Sequence, residues 1–158
     1  MVDTKETVEI NSQPFGKIQV SSDQKIIFDE GLYGFERYKV FYLLSMKDDE
    51  ESPFLYLQNG EDVYPSFILI NPYLFKQDYV LDVSPGELQK IGINTEEDAK
   101  ENLLVFVIVT IPEDSSGMTA NLLGPVLINK NLKSGIQALS LNEKYGTKHN
   151  IIEEMKNK

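Results

Sequence analysis

The 158-residue chain has no cysteine and no tryptophan, and His149 is its single histidine. Without thiols there is no disulfide frame, no cysteine nucleophile and no Cys-type zinc site, and one imidazole cannot build a multi-histidine metal cage. Basic residues are also scarce: 15 Lys and Arg stand against 25 Asp and Glu, a net charge of −10. The deficit is uneven, because residues 1–125 hold 22 acids and 9 bases whereas residues 126–158 hold 3 acids and 6 bases. An acidic body lacks the cations that nucleic acid and anionic lipid both require, so it argues against direct contact with either and favours a basic protein partner. Any soluble protein with a pI near 4.6 shares that balance, so charge alone names no partner.

Long apolar runs are missing too. Leu103 to Val109 is the longest and reaches Ile111 only if Thr110 is admitted, far short of the roughly 18 residues of a membrane-spanning helix. Met1 to Ile10 alternates polar and charged residues without the apolar stretch of a signal peptide, so the expected location is the cytoplasm.

What the chain does have is strand chemistry. Lys17–Val20, Lys25–Phe28, Val40–Leu44, Phe54–Leu57, Phe67–Ile70, Tyr79–Val83, Leu103–Ile111, Val126–Ile128 and Ile136–Leu141 are short segments rich in β-branched and aromatic residues, separated by turn signals such as Asn59-Gly60 and Asn71-Pro72. They predict a mainly β, single-domain fold, an antiparallel sandwich or a small barrel. The run Leu103 to Val109 does not alternate, which marks a central strand covered on both faces. Helix signals are few. Ser84-Pro85-Gly86-Glu87 reads as a capping box opening a helix over 85–91 with Gly92 as its stop, and Thr95 caps a second turn whose Glu96, Glu97 and Asp98 complement the helix dipole. Residues 1–148 form the expected β domain; 149–158 form a short tail, the end of the net-basic stretch 126–158, with helical spacing of Ile151, Ile152 and Met155, expected to fray.

No catalytic constellation emerges. His149 sits in the tail, where exposure is expected, and the acid pairs at Asp48-Asp49-Glu50-Glu51 and Glu61-Asp62 fall in turns that solvation alone explains. No loop has calcium-binding spacing, and Gly31-Leu32-Tyr33-Gly34 lacks the Lys of a phosphate loop, so its glycines serve a tight turn. No enzyme, metal or cofactor is predicted.

A series of loop and strand wordings runs through most of the chain. Phe15-Gly16, Phe28 with Gly31-Leu32-Tyr33-Gly34-Phe35-Glu36, Pro53-Phe54, Asn71-Pro72, Val109-Thr110-Ile111-Pro112, Met118 to Leu122 with Pro125, and Gly135, Gln137 and Tyr145 occur in this order. In that series the chain closely resembles the bacterial flagellar assembly factor FliW family from about residue 14 to residue 148. Tyr33 stands where the family usually has proline, Asn71 where aspartate is commoner and Gly124 where alanine is usual, departures that bear on local loop rigidity. The resemblance implies an antiparallel, barrel-like fold and a non-enzymatic cytoplasmic protein with two protein partners, flagellin and the RNA-binding translational repressor CsrA. Flagellin synthesis would then be coupled to flagellin export: accumulated flagellin occupies the protein and leaves CsrA free to repress, and export reverses this.

For the partner surface, the residues suggest Thr119, Asn121 and Pro125 in the loop after the central strand, Asn71, Pro72 and Tyr73, and the acids Asp48, Asp49, Glu50, Glu51, Glu61 and Asp62. Each has a plain alternative. Asn121 can satisfy backbone at a strand bend, Asn71-Pro72-Tyr73 can be turn chemistry, and the acids can be merely solvated. The competing function is a β-barrel module that binds a small ligand.

Overall fold

The computed structural model describes residues 7–45, 52–113 and 117–156. Strands β1 (Thr7–Ser12) and β2 (Gly16–Ser21) form a hairpin, with Gly16 supplying the positive φ of its turn. A 3₁₀ turn over Ser22–Gln24 leads into β3 (Lys25–Ile27), and β4 (Val40–Ser45), β5 (Phe54–Asn59) and β6 (Ser66–Ile70) follow as an antiparallel meander. A crossover with a 3₁₀ turn at Pro72–Leu74 and helices α1 (Pro85–Gln89) and α2 (Glu96–Asn102) returns the chain as β7 (Leu103–Thr110). The remaining elements are β8 (Thr119–Ala120), β9 (Val126–Asn129), β10 (Ser134–Gln137), β11 (His149–Asn150) and α3 (Ile151–Lys156).

The sheet closes on itself. Starting from β7, the order β6, β5, β4, β3, β10, β9 returns to β7 through pairing of Leu103 with Asn129 and Phe106 with Val126. The expected antiparallel barrel is therefore present, with one parallel seam where Ser134 of β10 meets Ile27 of β3. The edge of β7 that β9 leaves free, at Val109 and Thr110, pairs with β8, and β8 in turn carries β11.

Alternation along each strand sorts the side chains into two sets. Phe28, Phe41, Leu57, Leu69, Phe106 and Val126 fill the barrel interior. There Phe28 and Phe41 meet edge-on at 5.5 Å. Gly135 lies so close that a Cβ on it would sit 2.5 Å from the Phe28 ring. The outward set is covered as well. Tyr42 and Leu44 pack with Ile10 and Val20 of the hairpin, Leu127 and Ile136 with Ile91 and Ile93, and Ile70, Val107 and Val109 with Phe75, Tyr79, Tyr145 and Ile151. This is why the β7 run does not alternate: Leu104, Phe106 and Ile108 belong to the interior, Val105, Val107 and Val109 to the outer cores.

Several local expectations change. Tyr79–Val83 is not a strand, because its backbone bonds elsewhere: Val80 N–H donates to the Tyr145 hydroxyl at 2.9 Å, and Tyr79 stacks on Tyr145 with ring centroids 5.2 Å apart. Strand β10 stops at Gln137 rather than Leu141, although Ala138 N–H and Ser140 N–H still reach Pro125 and Leu123 carbonyls. Strands β1, β8 and β11 go unforeseen, the last two being only two residues each. Ser84 does not form a capping box; its hydroxyl accepts from Gly86 N–H at 3.3 Å, and Glu87 bonds Lys90 instead. The reciprocal box is built by Thr95 and Asp98, which gives the acidic start of α2 a structural role. Gly92 does end the α1 segment, at φ 79°.

Candidate partner-docking site

The loops that follow β3, β5 and β7, together with the segment after β10, gather at one end of the barrel, because these strands run toward it while β4, β6 and β9 start from it. A groove of about 330 Å³ opens there, lined by Leu32, Tyr33, Phe35, Asn121, Leu123 and Leu139 among others. Phe67 and Ile108 form part of its wall and also line an adjoining groove of about 540 Å³ that runs to Gln13, Tyr56 and Ile111. Large apolar side chains stay exposed at this end: Tyr33 is 55% exposed, Phe35 37%, Ile111 58% and Leu139 52%. Apolar surface clustered in this way marks an interaction site far more often than isolated exposed residues do.

Gln137 holds the two walls together. Its side chain is 94% buried; Oε1 accepts from Tyr33 N–H at 2.9 Å and Nε2 donates to the Gly124 carbonyl at 2.9 Å. The Tyr33 wall is shaped by glycines at positive φ, Gly31 and Gly34, and a Cβ on Gly31 would come within 2.6 Å of Glu36 backbone. Glu36 Oε2 accepts from Gly34 N–H at 3.0 Å, and that hydrogen bond holds its carboxyl below the usual range. Burial, then the nearby Glu87 and Glu30 carboxylates, push the Tyr33 phenol up.

The structure separates the sequence candidates. Asn121 lines the groove, and its Oδ1 accepts from Gly124 N–H at 2.9 Å, which is the backbone-satisfying role. Thr119 pairs with Thr110 and Asn150 in the β7–β8–β11 ladder, and Pro125 is buried with its carbonyl accepting from Ala138 N–H. Glu61 and Asp62 are exposed on the β5–β6 hairpin at the groove end. That hairpin is held by buried Gln58 and Asn59: Gln58 Nε2 donates to the Val63, Asp62 and Asn59 carbonyls, and Asn59 Nδ2 donates to the Tyr64 carbonyl at 2.7 Å. Asn71 and Pro72 are turn formers, with Asn71 Oδ1 accepting from Tyr73 N–H and Pro72 buried. Tyr73 is partly exposed but rests edge-on against Tyr79, over the outer core and not in the groove. Asp48, Asp49, Glu50 and Glu51 lie outside the described residues.

The groove also uses residues that the sequence reading left out of the site. Leu139, Leu123, Thr147 and Phe67 are ordinary apolar or small polar residues that only barrel closure brings together. Gln137 carried a usable signal, a lone amide inside the apolar run Ile136 to Leu139.

His149 is not the exposed tail residue expected. It lies in β11, with Nδ1 2.6 Å from Glu154 Oε2 and Nε2 accepting from Gly146 N–H at 2.8 Å, and the following Ile151 is buried. Glu154 is bonded on its other oxygen by Lys76 at 3.3 Å. Burial opposes ionisation of Glu154, but the hydrogen bonds from His149 and Lys76 outweigh it and hold the carboxyl below its ordinary 4.5. A carboxyl depressed in the folded state stabilises the fold fully above its unfolded value and loses that contribution as the pH falls through the folded one. Thermal unfolding is therefore expected to shift down as the pH drops below 4.5, and a Glu154→Gln variant to lose less over the same interval. Equal acid sensitivity of the two proteins would remove Glu154 from the account. Among the described residues there is no group of three or more His, Cys, Asp or Glu placed to hold a metal ion, and no helix is long and apolar enough to cross a membrane.

Comparisons with known proteins agree with this architecture. The family model described as FliW protein matches residues 9–151. A flagellar assembly factor FliW of Leptospira interrogans is 48% identical over 147 residues, covering 92% of this chain and 94% of that protein. The flagellar assembly factor FliW of Treponema pallidum is 40% identical over 148 residues, covering 94% of each. A crystal structure of the flagellar assembly factor FliW superposes with a TM-score of 0.79 at 30% identity, covering 91% of this chain and 96% of that one. Barrel and crossover thus follow one family pattern along nearly the whole sequence, and the chain belongs to the FliW family of flagellar assembly factors.

Proposed function

We propose that this chain is a cytoplasmic, non-enzymatic flagellar assembly factor that binds flagellin and the RNA-binding repressor CsrA, and that it antagonises CsrA so that flagellin translation follows flagellin export. The observation that carries this reading is the apolar groove at the barrel end with acids around it. The described segments at that end, 28–39, 60–65, 111–113 and 138–148, hold Asp29, Glu30, Glu36, Glu61, Asp62, Glu113 and Glu143 against Arg37, Lys39, Lys144 and Lys148, a net acidic balance. A repressor that grips RNA must present cations, and an acidic rim steers such a surface in while the apolar centre supplies affinity. Coupling to export then needs only that flagellin and CsrA oppose each other on this protein, since linkage makes the antagonism reciprocal. A small-ligand carrier is the weaker reading, because Phe28, Phe41, Leu57, Leu69 and Phe106 occupy the barrel interior where a ligand would sit.

Calorimetry with the host's CsrA at low and high salt tests the reading. Submicromolar binding is expected, stronger than about −8 kcal/mol, and weaker as screening shortens the reach of the acidic rim. Leu139→Glu, at a half-exposed position of the groove, is expected to weaken the complex about tenfold or more without unfolding the protein. No complex at low ionic strength would overturn the proposal. Flagellin added to the preformed complex should release CsrA.

A further inference from the structure

The groove segment 121–124 is tied at Gly124, whose N–H donates to Asn121 Oδ1 and whose carbonyl accepts from Gln137 Nε2, and at the Leu123 carbonyl, which accepts from Ser140 N–H at 2.7 Å; its two central amides depend on a different group. Asn121 N–H reaches the Ile108 carbonyl on β7, but beyond it Leu122 N–H and Leu123 N–H both donate to a single acceptor, the Gly146 carbonyl, each at 3.0 Å. Gly146 is a glycine, the residue least able to fix its own φ and ψ. What fixes it is its N–H, which donates to Nε2 of His149 at 2.8 Å. An N–H can only donate, so Nε2 carries the lone pair and the ring proton is on Nδ1. That proton points to Glu154 Oε2 at 2.6 Å, and Lys76 at 3.3 Å from the other carboxylate oxygen keeps the carboxylate in place. Asp78 lies 3.3 Å from Lys76, and the Tyr145 ring lies edge-on to the imidazole at 6.1 Å.

We infer that His149 is a positioning residue for partner docking. Glu154 selects its Nδ1–H tautomer, the bare Nε2 sets Gly146, and the Gly146 carbonyl holds the backbone of Leu122 and Leu123, and with it the Leu123 wall of the groove, in its binding shape. The inference rests on the reading that this groove receives the partner. It assigns the sole histidine a role at a distance from the groove and makes the C-terminal helix α3 a support of the site, through Glu154.

Two substitutions divide the imidazole into its halves. In His149→Gln the side-chain oxygen can take the place of Nε2 and accept from Gly146 N–H, whereas in His149→Asn the amide can take the place of Nδ1–H and donate to Glu154 but leaves Gly146 N–H unpartnered. Amide hydrogen exchange at Leu122 and Leu123 reads the relay with no partner present. His149→Asn is expected to speed both by about tenfold or more, and His149→Gln to stay within about threefold of the parent, since these two amides share one acceptor, the Gly146 carbonyl, and their protection follows it. Binding of the host's CsrA should weaken in His149→Asn and be retained in His149→Gln. Equal exchange in the two variants, whether both fast or both slow, overturns the relay. Fast exchange in His149→Asn with undiminished CsrA binding leaves the relay standing and overturns the reading that CsrA docks in this groove. If His149→Asn fails to fold, Glu154→Leu replaces it: removal of the carboxylate that selects the tautomer should raise exchange at Leu122 and Leu123, and unchanged exchange overturns the relay.

Discussion

Replacing Gln58 with leucine is expected to destabilise the protein by about 3–5 kcal/mol, through stranded polar groups and not through lost volume. Gln58 is fully buried on β5, and its amide joins two parts of the fold. Oε1 accepts from Gln13 N–H at 2.9 Å in the turn of the β1–β2 hairpin. Nε2 serves the β5–β6 hairpin, donating to the Val63 carbonyl at 2.9 Å, Asp62 at 3.1 Å and Asn59 at 3.2 Å. Leucine fits the space but leaves a donor and several acceptors without partners, each costing about 1–3 kcal/mol where water does not reach. Gln58→Glu makes a sharper comparison. It keeps an acceptor for Gln13 but sets a carboxylate against carbonyl oxygens, so it should be at least as unstable at neutral pH and recover part of the loss on acidification, when it can donate again. Urea unfolding measures both, and a loss below about 1 kcal/mol for leucine would show that water replaces the amide. Because the same hairpin carries Glu61 and Asp62 at the groove end, the proposed function further predicts that the variant associates with CsrA more slowly.

How much of this was legible in the sequence depends on whether a residue's neighbours are local. The meander β4, β5, β6 and the strand β7 could be read because alternation along Val40–Leu44, or its absence over Leu103–Val109, reflects the faces of a single strand. Thr95 and Gly92 could be read because caps and stops act within one turn. Tyr79–Val83 has the same composition as a strand, yet its alternation comes from laying Tyr79 against Tyr73 and Tyr145, which are distant in sequence or held by another loop. Strands β8 and β11 are too short to have a period and exist only because β9 leaves part of the β7 edge free.

The site was less legible than the fold for the same reason. Asn121 stood out as a polar residue among apolar ones, and it lines the groove. The wall opposite it comes from Tyr33 and Phe35, and Leu139 and Thr147 complete the rim, joined to Asn121 only by closure of the barrel through the β3–β10 seam and the β7–β9 pairing. His149 was misjudged because nearness to the end of the chain suggests fraying, whereas Ile151, three per cent exposed, anchors the segment in the outer core and brings the imidazole to Gly146.

Gln137→Leu should cost about 2–4 kcal/mol and, separately, abolish tight partner binding. The residue is 6% exposed and spans the groove floor, taking Tyr33 N–H on one side and giving a hydrogen to the Gly124 carbonyl on the other, both at 2.9 Å. Leucine preserves the apolar floor but frees the turn at Gly31–Phe35 from the loop at 121–124 and strands the Tyr33 N–H and the Gly124 carbonyl. The backbone at Tyr33 is especially dependent on this bond, since the glycines on either side of the Leu32-Tyr33 pair, at φ 67° and 85°, allow the turn to take other shapes once it is released. The two effects separate experimentally: unfolding in urea gives the stability loss, and calorimetry at a temperature where the variant is fully folded gives the binding loss. Gln137→Glu, which can still accept from Tyr33 N–H but cannot donate to Gly124 while ionised, should hold one wall and lose the other. Wild-type CsrA affinity in a folded Gln137→Leu protein would mean that the partner does not use the space between these walls.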